Sequence, residues 1–311
     1  MASRRRVQEP PPPPDADAGA DAVTGAYRAW LAENPAPPGG ALLAQTAAVG
    51  PLRRMFVPTV PLRPGWRVLD VGTGFGPLAF ELARRHPVQV TGADRDGPVL
   101  GVARRLAAGL AGNLAAGSSV DFVQAPAEAL PFADRTFDLV TASLLFQHLA
   151  DPEPVVDEMR RVLRPGGHAF VFDVDDGLGA TYPDAGPLSR LEAAFAASQA
   201  LAGGDRQVGR KLSVTFAEHG FVVDQILLVP QAQHVRTAPD GELRALTVAR
   251  LRAARSGIVG ADFLDTATFD GLLDAYESSP AREICRIEAQ VALIAGRPSE
   301  PGGSGAAGVG R

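Results

Sequence analysis

The chain has 311 residues, of which 46% are hydrophobic, a net charge of −5 and one cysteine. This length allows one large domain or two small ones, and the apolar content suffices for a core. The lone Cys285 excludes a disulfide framework or a cysteine-based metal site and suits a reducing, cytoplasmic compartment. The negative charge offers no basic field to nucleic acid or an anionic membrane, and no apolar run of about 18 residues predicts a membrane span.

The two ends of the sequence differ in composition from the middle. Residues 1–20 are rich in Pro, Ala and Asp, residues 298–311 are rich in Gly, Ala, Ser and Pro, and neither shows apolar periodicity. We expect both to be disordered tails. Prolines follow the arginines near the N-terminus where an apolar segment would be needed, so a secretory signal is not predicted. One domain is expected over residues 21–297.

The first predicted elements are helical. Residues 21–60 form a cap of two helices, 21–32 and 41–57, and the second is interrupted at Gly50-Pro51. Apolar residues of the first helix recur at helical spacing near one face. Both helices are therefore expected to pack on the domain that follows.

Strands and helices alternate after the cap. Buried strands are predicted at 68–71, 88–93, 120–124, 138–142 and 169–172, with helices at 77–85, after Asp96 and at 153–163. This rhythm is typical of a parallel, doubly wound α/β sheet of the Rossmann-like type, which binds ligands beyond the carboxyl ends of its strands. We assign the ligand-binding core to residues 61–175.

The rhythm loosens after the fifth strand. The elements expected there are helices at 188–202 and 209–219, a sixth strand at 221–229, a polar, helical insert at 239–282 and a seventh strand at 286–295. The sheet would then have seven mostly parallel strands, with N-terminal helices and a helical insert between strands six and seven. We interpret residues 176–220 and 236–285 as acceptor-site or lid elements.

The most informative motif is the glycine-rich turn after the first strand. Residues 70–76 read D-V-G-T-G-F-G, and a helix follows at once. Glycine tolerates positive φ, and its missing side chain lets a ligand lie against the backbone. A dinucleotide fingerprint, G-x-G-x-x-G, would place its third glycine at position 77, which is Pro77. The spacing therefore departs from the dinucleotide pattern.

The turn resembles motif I of the class I S-adenosylmethionine-dependent methyltransferases. The resemblance implies that Asp70 helps to hold the ammonium group of S-adenosylmethionine through its hydration. It also implies that Gly72, Gly74 and Gly76 let the methionine portion lie on the turn. Thr73, inside the same turn, is assigned to the same cofactor site.

An acidic residue closes the second strand. Asp94 lies about 20 residues past the glycine turn, where an acid reaches the ribose hydroxyls of an adenosine ligand. A carboxylate can accept two hydrogen bonds from a vicinal diol, so the residue type suits the task. A capping or turn role is the alternative for Asp94. Arg95 either covers the adenine or is a solvated surface residue.

The segment after the third strand carries a second resemblance. Residues 124–132 are similar to the DA-x-x-LPF segment of the ubiquinone/menaquinone-type methyltransferases, in which an aspartate takes the adenine amino group. Pro126 stands at the aspartate position, where it offers neither a side-chain acceptor nor an N–H. The resemblance then leaves the Ala127 N–H for the adenine, with Gln124 or Glu128 as substitute acceptor.

The fourth strand and the helix after it carry the most specific resemblance. Residues 136–167 are similar to the family's FD-x-V…HHL-x-D…E-x-x-RVLKPGG block. The match implies that Ser143 and Leu144 hold the methionine portion and that Gln147 and His148 lie near the donated methyl group. His148 is the candidate general base, because an imidazole titrates near pH 6.5. The alternative is a structural histidine packed under the cofactor site.

Other side chains are candidate substrate contacts, with core or surface roles as the alternative for each. They are Tyr27, Gln147, Asp173, Tyr182 and His234. The acids that follow the fifth strand suit a divalent cation, but acids at a strand end more often cap a helix or face solvent. We therefore expect no metal site.

These features favour a small-molecule methyltransferase. No N-P-P-Y-type tetrad, Pro-Cys pair or basic patch favours a nucleic-acid acceptor. By elimination, the acceptor is an apolar or aromatic secondary metabolite, such as a quinone, polyketide or indole-containing natural product. Two alternatives stay open: a non-methylating cyclase or cofactor-binding member of the fold, and an NAD-dependent dehydrogenase, which Pro77 and the LPF segment oppose.

Overall fold

The computed structural model describes residues 22–34, 37–184, 186–238, 241–261 and 263–299. The tail predicted at 1–20 lies outside these residues, and so does the tail predicted at 298–311 from residue 300 onward. Within the described ranges, no helix combines the length and apolar character needed to cross a membrane.

The described residues contain ten α-helices and eight β-strands. The first half comprises α1 (Ala22–Glu33), α2 (Gly40–Ala48), α3 (Gly50–Phe56), β1 (Arg67–Val71), α4 (Pro77–Arg85), β2 (Gln89–Asp94), α5 (Gly97–Leu110), β3 (Ser119–Gln124) and β4 (Phe137–Ser143). The second half comprises α6 (Glu153–Val162), β5 (Leu163–Val174), β6 (Ala180–Tyr182), α7 (Pro187–Leu201), α8 (Leu212–Glu218), β7 (Val222–Arg236), α9 (Glu242–Gly260), α10 (Thr266–Glu277) and β8 (Glu283–Gly296).

The strands form one sheet in the order β3-β2-β1-β4-β5-β8-β7. The first five strands are parallel, while β8 is antiparallel to both β5 and β7. This confirms the α/β, Rossmann-like class. The predicted number of seven strands is corrected to eight, because β6 pairs with β8 just beyond the end of β5. A three-residue strand that is exposed throughout has no apolar pattern to predict it.

Helices cover both faces of the sheet. One face packs against α6 and α8, and the other packs against α3 and α4. On the second face the rings of Phe56 and Phe172 stack 4.9 Å apart, which fixes α3 near the carboxyl end of β5. The helices α1 and α2 pack with α4 and α5 in a further cluster that includes Phe75 of the glycine-rich turn. The predicted helical cap therefore lies directly on this turn.

The insert between β7 and β8 is helical, as predicted. Its two helices, α9 and α10, pack with α7 around Leu191, Leu251 and Phe269. The strands that carry it are longer than expected, since their pairing runs from Val222–Gly296 to Arg236–Glu283. Because β8 is antiparallel to β5, the extra length of this hairpin continues beyond the carboxyl end of β5. It carries α9 and α10 to the side of the sheet where the glycine-rich turn lies.

Candidate functional site

The glycine-rich turn holds three glycines in the left-handed region. Gly72, Gly74 and Gly76 have φ of 66°, 54° and 80°, which residues with a side chain rarely adopt. A Cβ on Gly76 would lie 2.7 Å from the Phe122 ring, so glycine is needed there for packing. A Cβ on Gly74 would meet nothing within 4 Å. The turn therefore presents bare backbone and open space at Gly74.

Asp70 lies beneath the turn and is 1% exposed. Its Oδ2 accepts the Thr73 hydroxyl at 2.6 Å, and its Oδ1 accepts the Thr141 hydroxyl at 2.8 Å. Burial raises the pKa of Asp70 to about 6, and the two hydroxyl hydrogen bonds oppose that rise. The Thr73 hydroxyl is thus committed to Asp70. Thr141 was not singled out in the sequence, but its position beside Asp70 in the β1–β4 register identifies it.

Asp94 connects the end of β2 to the turn. Its Oδ2 accepts the Gly74 N–H at 2.8 Å, and its Oδ1 accepts the Asp96 N–H at 3.0 Å. A carboxylate has about four lone-pair sites, so each oxygen retains capacity for another donor. The capping role that was the alternative for Asp94 is filled by Asp96. Its Oδ1 accepts the Val99 N–H at 3.0 Å and caps α5. Asp94 is therefore available beside the open surface of Gly74.

The segment after β3 is held by the E-x-x-R pair of α6. Arg161 donates to the carbonyls of Leu130 at 3.0 Å and Phe132 at 2.7 Å. Glu158 accepts the Leu130 N–H at 2.8 Å and pairs with Arg161 at 2.6 Å. This pair holds the pKa of Glu158 below its usual range. The pattern in the sequence thus has a structural purpose, which is to fix the LPF turn.

The next residues are those predicted to lie near the adenine. Gln124 donates its Nε2 to the Arg95 carbonyl at 3.0 Å and so ties the end of β3 to the loop after β2. Arg95, Pro126 and Glu128 are exposed, while Ala127 is half-buried against the core. The Gln124 side chain therefore stabilises the loop after β2, next to Asp94.

Replacing Arg161 by alanine should lower the free energy of unfolding by about 2 kcal/mol, the order for hydrogen bonds to a charged group. The reason is that Arg161 bonds two backbone carbonyls and two carboxylates at once. Urea unfolding measures the change. Arg255→Ala is the matched control, because it removes one exposed pair with Asp270 and should cost less than about 1 kcal/mol. Equal losses in the two variants would contradict this role of Arg161.

The loop after β4 has an unusual backbone. Leu144 adopts φ of 55°, and its N–H donates to the Phe172 carbonyl at 2.9 Å. Non-glycine residues in this region cluster at functional sites. Buried Gln147 donates its backbone N–H to Asp173 Oδ2 at 3.3 Å, and its side-chain oxygen accepts from Arg206. Asp173 of β5 and Arg206 therefore hold Gln147 in place.

Asp173 is fully buried at the end of β5. Burial raises its pKa to about 7, and N–H groups of Val174, Gln147 and Phe146 oppose the rise. Sequence reasoning placed Asp173 against the substrate, whereas its carboxylate contacts the loop that carries Gln147 and His148. It therefore positions that loop.

The raised pKa of Asp173 predicts a pH-dependent stability. Between about pH 4 and about pH 7 the folded state binds more protons at this group than the unfolded state does. Its contribution to the free energy of unfolding therefore falls as pH rises through that window, by on the order of 2–4 kcal/mol. Asp173→Asn should remove this share of the slope and leave the share of Asp70. Urea unfolding at several pH values measures it.

Asp121→Asn, on an exposed position of β3, controls for the loss of one carboxylate. A slope for Asp173→Asn equal to that of the unsubstituted protein would contradict the assignment.

His148 lies at the end of the same loop and is exposed. Partial desolvation lowers its pKa below the usual 6.5, and the positive charges of Arg206 and Arg95 lower it further. The imidazole is therefore neutral at neutral pH, which is the state a proton acceptor requires. Ser143, also predicted here, ends β4 opposite Phe172 and is half-buried.

Three predicted substrate contacts lie away from this loop. Tyr27 is fully buried, and its hydroxyl donates to the Phe75 carbonyl at 3.0 Å, so it supports the glycine-rich turn from within the core. Tyr182 and His234 are exposed and flank Cys285 in one row across the extended hairpin. Cys285 lies five positions along β8 from Gln290, the partner of Val174, so this row lies beyond the end of β5.

The other acids that follow β5 have arginine partners. Asp175 pairs with Arg210 at 2.6 Å, and Asp176 pairs with Arg206 at 2.7 Å. Among the described residues, no group of three or more His, Cys, Asp and Glu side chains is placed to hold a metal ion. These acids instead tie the end of β5 to the segment before α8.

Comparisons with known proteins agree with this architecture. Residues 69–171 match the family model of the methyltransferase domain. A demethylmenaquinone methyltransferase of Thermus thermophilus is 44% identical over 108 residues, which are 34% of this chain and 46% of that protein. A ubiquinone/menaquinone biosynthesis C-methyltransferase of Geotalea daltonii is 36% identical over 125 residues, 39% of this chain and 51% of that protein. The chain spans about half the length of these curated relatives.

A solved structure shares the fold over a longer stretch. A Bacillus halodurans protein, assigned as a methyltransferase, has a TM-score of 0.54 and 22% identity, with 79% of this chain and 99% of that chain covered. The chain thus shares the Rossmann-like α/β fold of that protein. Residues 69–171 are a methyltransferase domain, and the relatives that this part of the chain resembles are named as ubiquinone/menaquinone-type methyltransferases.

Proposed function

We propose that this chain transfers the methyl group of S-adenosylmethionine to a small-molecule acceptor. The observation that carries the proposal is the junction of Asp94 with Gly74 at 2.8 Å. This junction places a carboxylate with spare acceptor capacity beside bare backbone and open space. An adenosine ligand with its ribose on Asp94 and its methionine portion along the turn fits this arrangement.

Each part of the cofactor has a proposed set of partners. Asp94 accepts the ribose hydroxyls, and the turn at Gly72 and Gly74 lies against the methionine portion. The Asp70 carboxylate, beneath the turn, helps to hold the ammonium group through its hydration. The Ala127 N–H is directed to the adenine ring in place of the acid that Pro126 lacks. When bound, the cofactor supplies a methyl group on a sulfonium, which is a good leaving group.

The chain's own contribution is alignment, exclusion of water and proton removal. Aligning an acceptor with the methyl group supplies much of the rate in a transfer of this kind. The helices α7, α9 and α10 serve as the lid over the acceptor. His148, neutral at neutral pH, takes a proton from an acceptor that must lose one. Gln147 contacts the acceptor from the same loop.

The acceptor class is inferred from the names of the relatives. The two relatives above are named for demethylmenaquinone and for ubiquinone/menaquinone biosynthesis. A quinone-type ring with an apolar body is therefore the acceptor we favour, and the name C-methyltransferase of one relative supports transfer to carbon.

The experiment that tests this function is a labelled-methyl assay on the full chain. S-adenosylmethionine with a labelled methyl group is incubated with a reduced naphthoquinone, an aromatic polyketide and an indole, and products are identified by mass spectrometry. We expect label in the naphthoquinone product. Binding of the cofactor without label in any acceptor would favour a non-methylating member of the fold. Binding of NAD in place of S-adenosylhomocysteine, measured by calorimetry, would favour a dehydrogenase.

A further inference from the structure

The hairpin of β7 and β8, with β6 beside it, has an apolar face turned to solvent. Directly paired residues of neighbouring strands lie on the same face of a sheet, and so does every second residue along a strand. Tyr182 is 79% exposed, Leu228 55% and Ile226 54%, and large apolar residues exposed side by side mark an interaction site. The register places six exposed residues on this side, which we call the hairpin face: Tyr182, Ile226, Leu228, Pro230, Cys285 and Ile287.

The opposite face of the same hairpin is polar and partly covered. Gln231 of β7 donates its Nε2 to the Sδ of Met55 on α3 at 3.1 Å. Arg286 and Glu288 of β8 pair with each other and are half-buried, and Gln290 is buried. A sheet with one solvated face normally turns its polar residues outward and its apolar residues inward. The reversed pattern indicates that another molecule covers the hairpin face.

Helix α8 covers this side of the sheet only as far as the start of the hairpin face. Phe216 of α8 belongs to the same core cluster as Leu293 of β8, which is buried. Ile226, the cross-strand partner of Leu293, is exposed, and so is every second residue of β7 from there to Arg236. Within the described part of the chain, the hairpin face therefore lies open.

The face of β7 is a better contact than its free edge. Among the described residues β7 pairs only with β8, so its other edge is open. Pro230 lies midway along β7, and a proline in a sheet turns the position that lacks an N–H to the open edge. A proline there hinders pairing with a further strand. A partner is therefore expected on the hairpin face.

We propose that the hairpin face is the contact between two copies of this chain related by a two-fold axis. Such a contact uses the same surface on both copies, so apolar side chains interdigitate as they do between two packed sheets. The face extends over about 26 Å from Ile226 to His234, at about 3.3 Å per residue. A standard interface buries about 800 Å² per partner, which is a patch about 30 Å across. The hairpin face with its rim thus has the size that a stable dimer needs.

The charges at the rim favour a second copy over a membrane or a charged partner. At one end of the face, His234 and Arg236 both contact Glu283, at 3.3 Å and 3.6 Å. An apolar surface that binds anionic lipid is typically flanked by Lys and Arg that contact the headgroups. The six residues of the hairpin face include no Asp, Glu, Lys, Arg or His. Contacts between identical chains are the more apolar class of interface, and the inference does not depend on the proposed function.

The test is the mass of the full chain in solution, measured by sedimentation velocity over a range of concentrations. We expect a dimer that dissociates on dilution. Leu228→Asp places a charge in the contact on both copies and should raise the dissociation constant at least about 30-fold, the effect of losing a central interface residue. Leu42→Asp is the matched control, because Leu42 is an exposed leucine of α2 outside the hairpin face. It should leave the dissociation constant unchanged, and circular dichroism checks that both variants are folded.

Cys285 provides a second measurement that needs no variant. It is the only cysteine of the chain and lies exposed in the hairpin face. Contact between two copies covers it, so its alkylation by an excess of maleimide should slow as the chain concentration rises, in step with the dimer fraction. In Leu228→Asp the fast rate should hold at every concentration at which the unsubstituted chain is protected.

Three outcomes would overturn the proposal. The first is a monomer at every concentration. The second is a dimer in which Cys285 reacts as fast as it does on dilution, because the contact then lies elsewhere. The third is a monomer that floats with vesicles of phosphatidylcholine and phosphatidylglycerol and loses this binding in Leu228→Asp, which would make the hairpin face a membrane contact.

Discussion

Replacing Asp94 by alanine should weaken the binding of S-adenosylhomocysteine by on the order of 1–3 kcal/mol, the range for losing a buried hydrogen-bonding partner. In the proposed complex this carboxylate accepts both ribose hydroxyls. In the structure it also accepts the Gly74 N–H at 2.8 Å, so its loss frees the turn on which the methionine portion lies. Calorimetric titration of the folded variant measures the effect.

The matched control for Asp94 is two residues further along the chain. Asp96→Ala removes the cap of α5 at Val99 and should cost about 1 kcal/mol of stability with little change in affinity. If Asp94→Ala binds S-adenosylhomocysteine as tightly as Asp96→Ala does, Asp94 does not belong to the cofactor site.

Replacing His148 by alanine should slow turnover by about 100-fold or more, the range for removing a general base. Cofactor affinity should stay unchanged, because the proposed cofactor contacts come from other residues. In the unsubstituted chain, kcat/KM should fall as the pH drops through the pKa of His148, since protonation removes the base. That acidic limb should lie below about pH 6.5, because desolvation and the charges of Arg206 and Arg95 lower this pKa.

The effect of the Arg206 charge on the pKa of His148 can also be tested. Arg206→Gln removes a positive charge, so the pKa of His148 should rise and the limb should move to higher pH. His219→Ala is the control histidine, since it is bonded to Asp157 at 2.7 Å on the α6–α8 face and should keep normal turnover. Full activity of His148→Ala would show that His148 has only a structural role.

Local patterns predicted the parts of this fold that depend on neighbours in sequence. The cap at Asp96, the start of α4 at Pro77 and the glycine-rich turn each follow from residue types within a few positions. The E-x-x-R pair of α6 belongs to the family-like block of the sequence, but its contact with the LPF turn joins residues about 30 positions apart. The hydrogen bonds by which this pair holds the LPF turn are seen only in the folded chain.

The remaining features depend on tertiary contacts that no local pattern encodes. Thr141 reaches Asp70 only because β4 pairs beside β1. Tyr27 is predicted as a substrate contact or a core residue, and its burial with a hydrogen bond to the Phe75 carbonyl is seen only in the folded chain. Arg53 lies in a helix of seven residues, and its burial is seen only in the folded chain.

A crystal structure of the full chain with S-adenosylhomocysteine tests the central claim most directly. We predict both ribose hydroxyls at about 2.5–3.0 Å from the carboxylate oxygens of Asp94, with the homocysteine portion along the backbone of Gly74. A ligand bound elsewhere, or an Asp94 carboxylate still bonded only to Gly74 and Asp96, would contradict it.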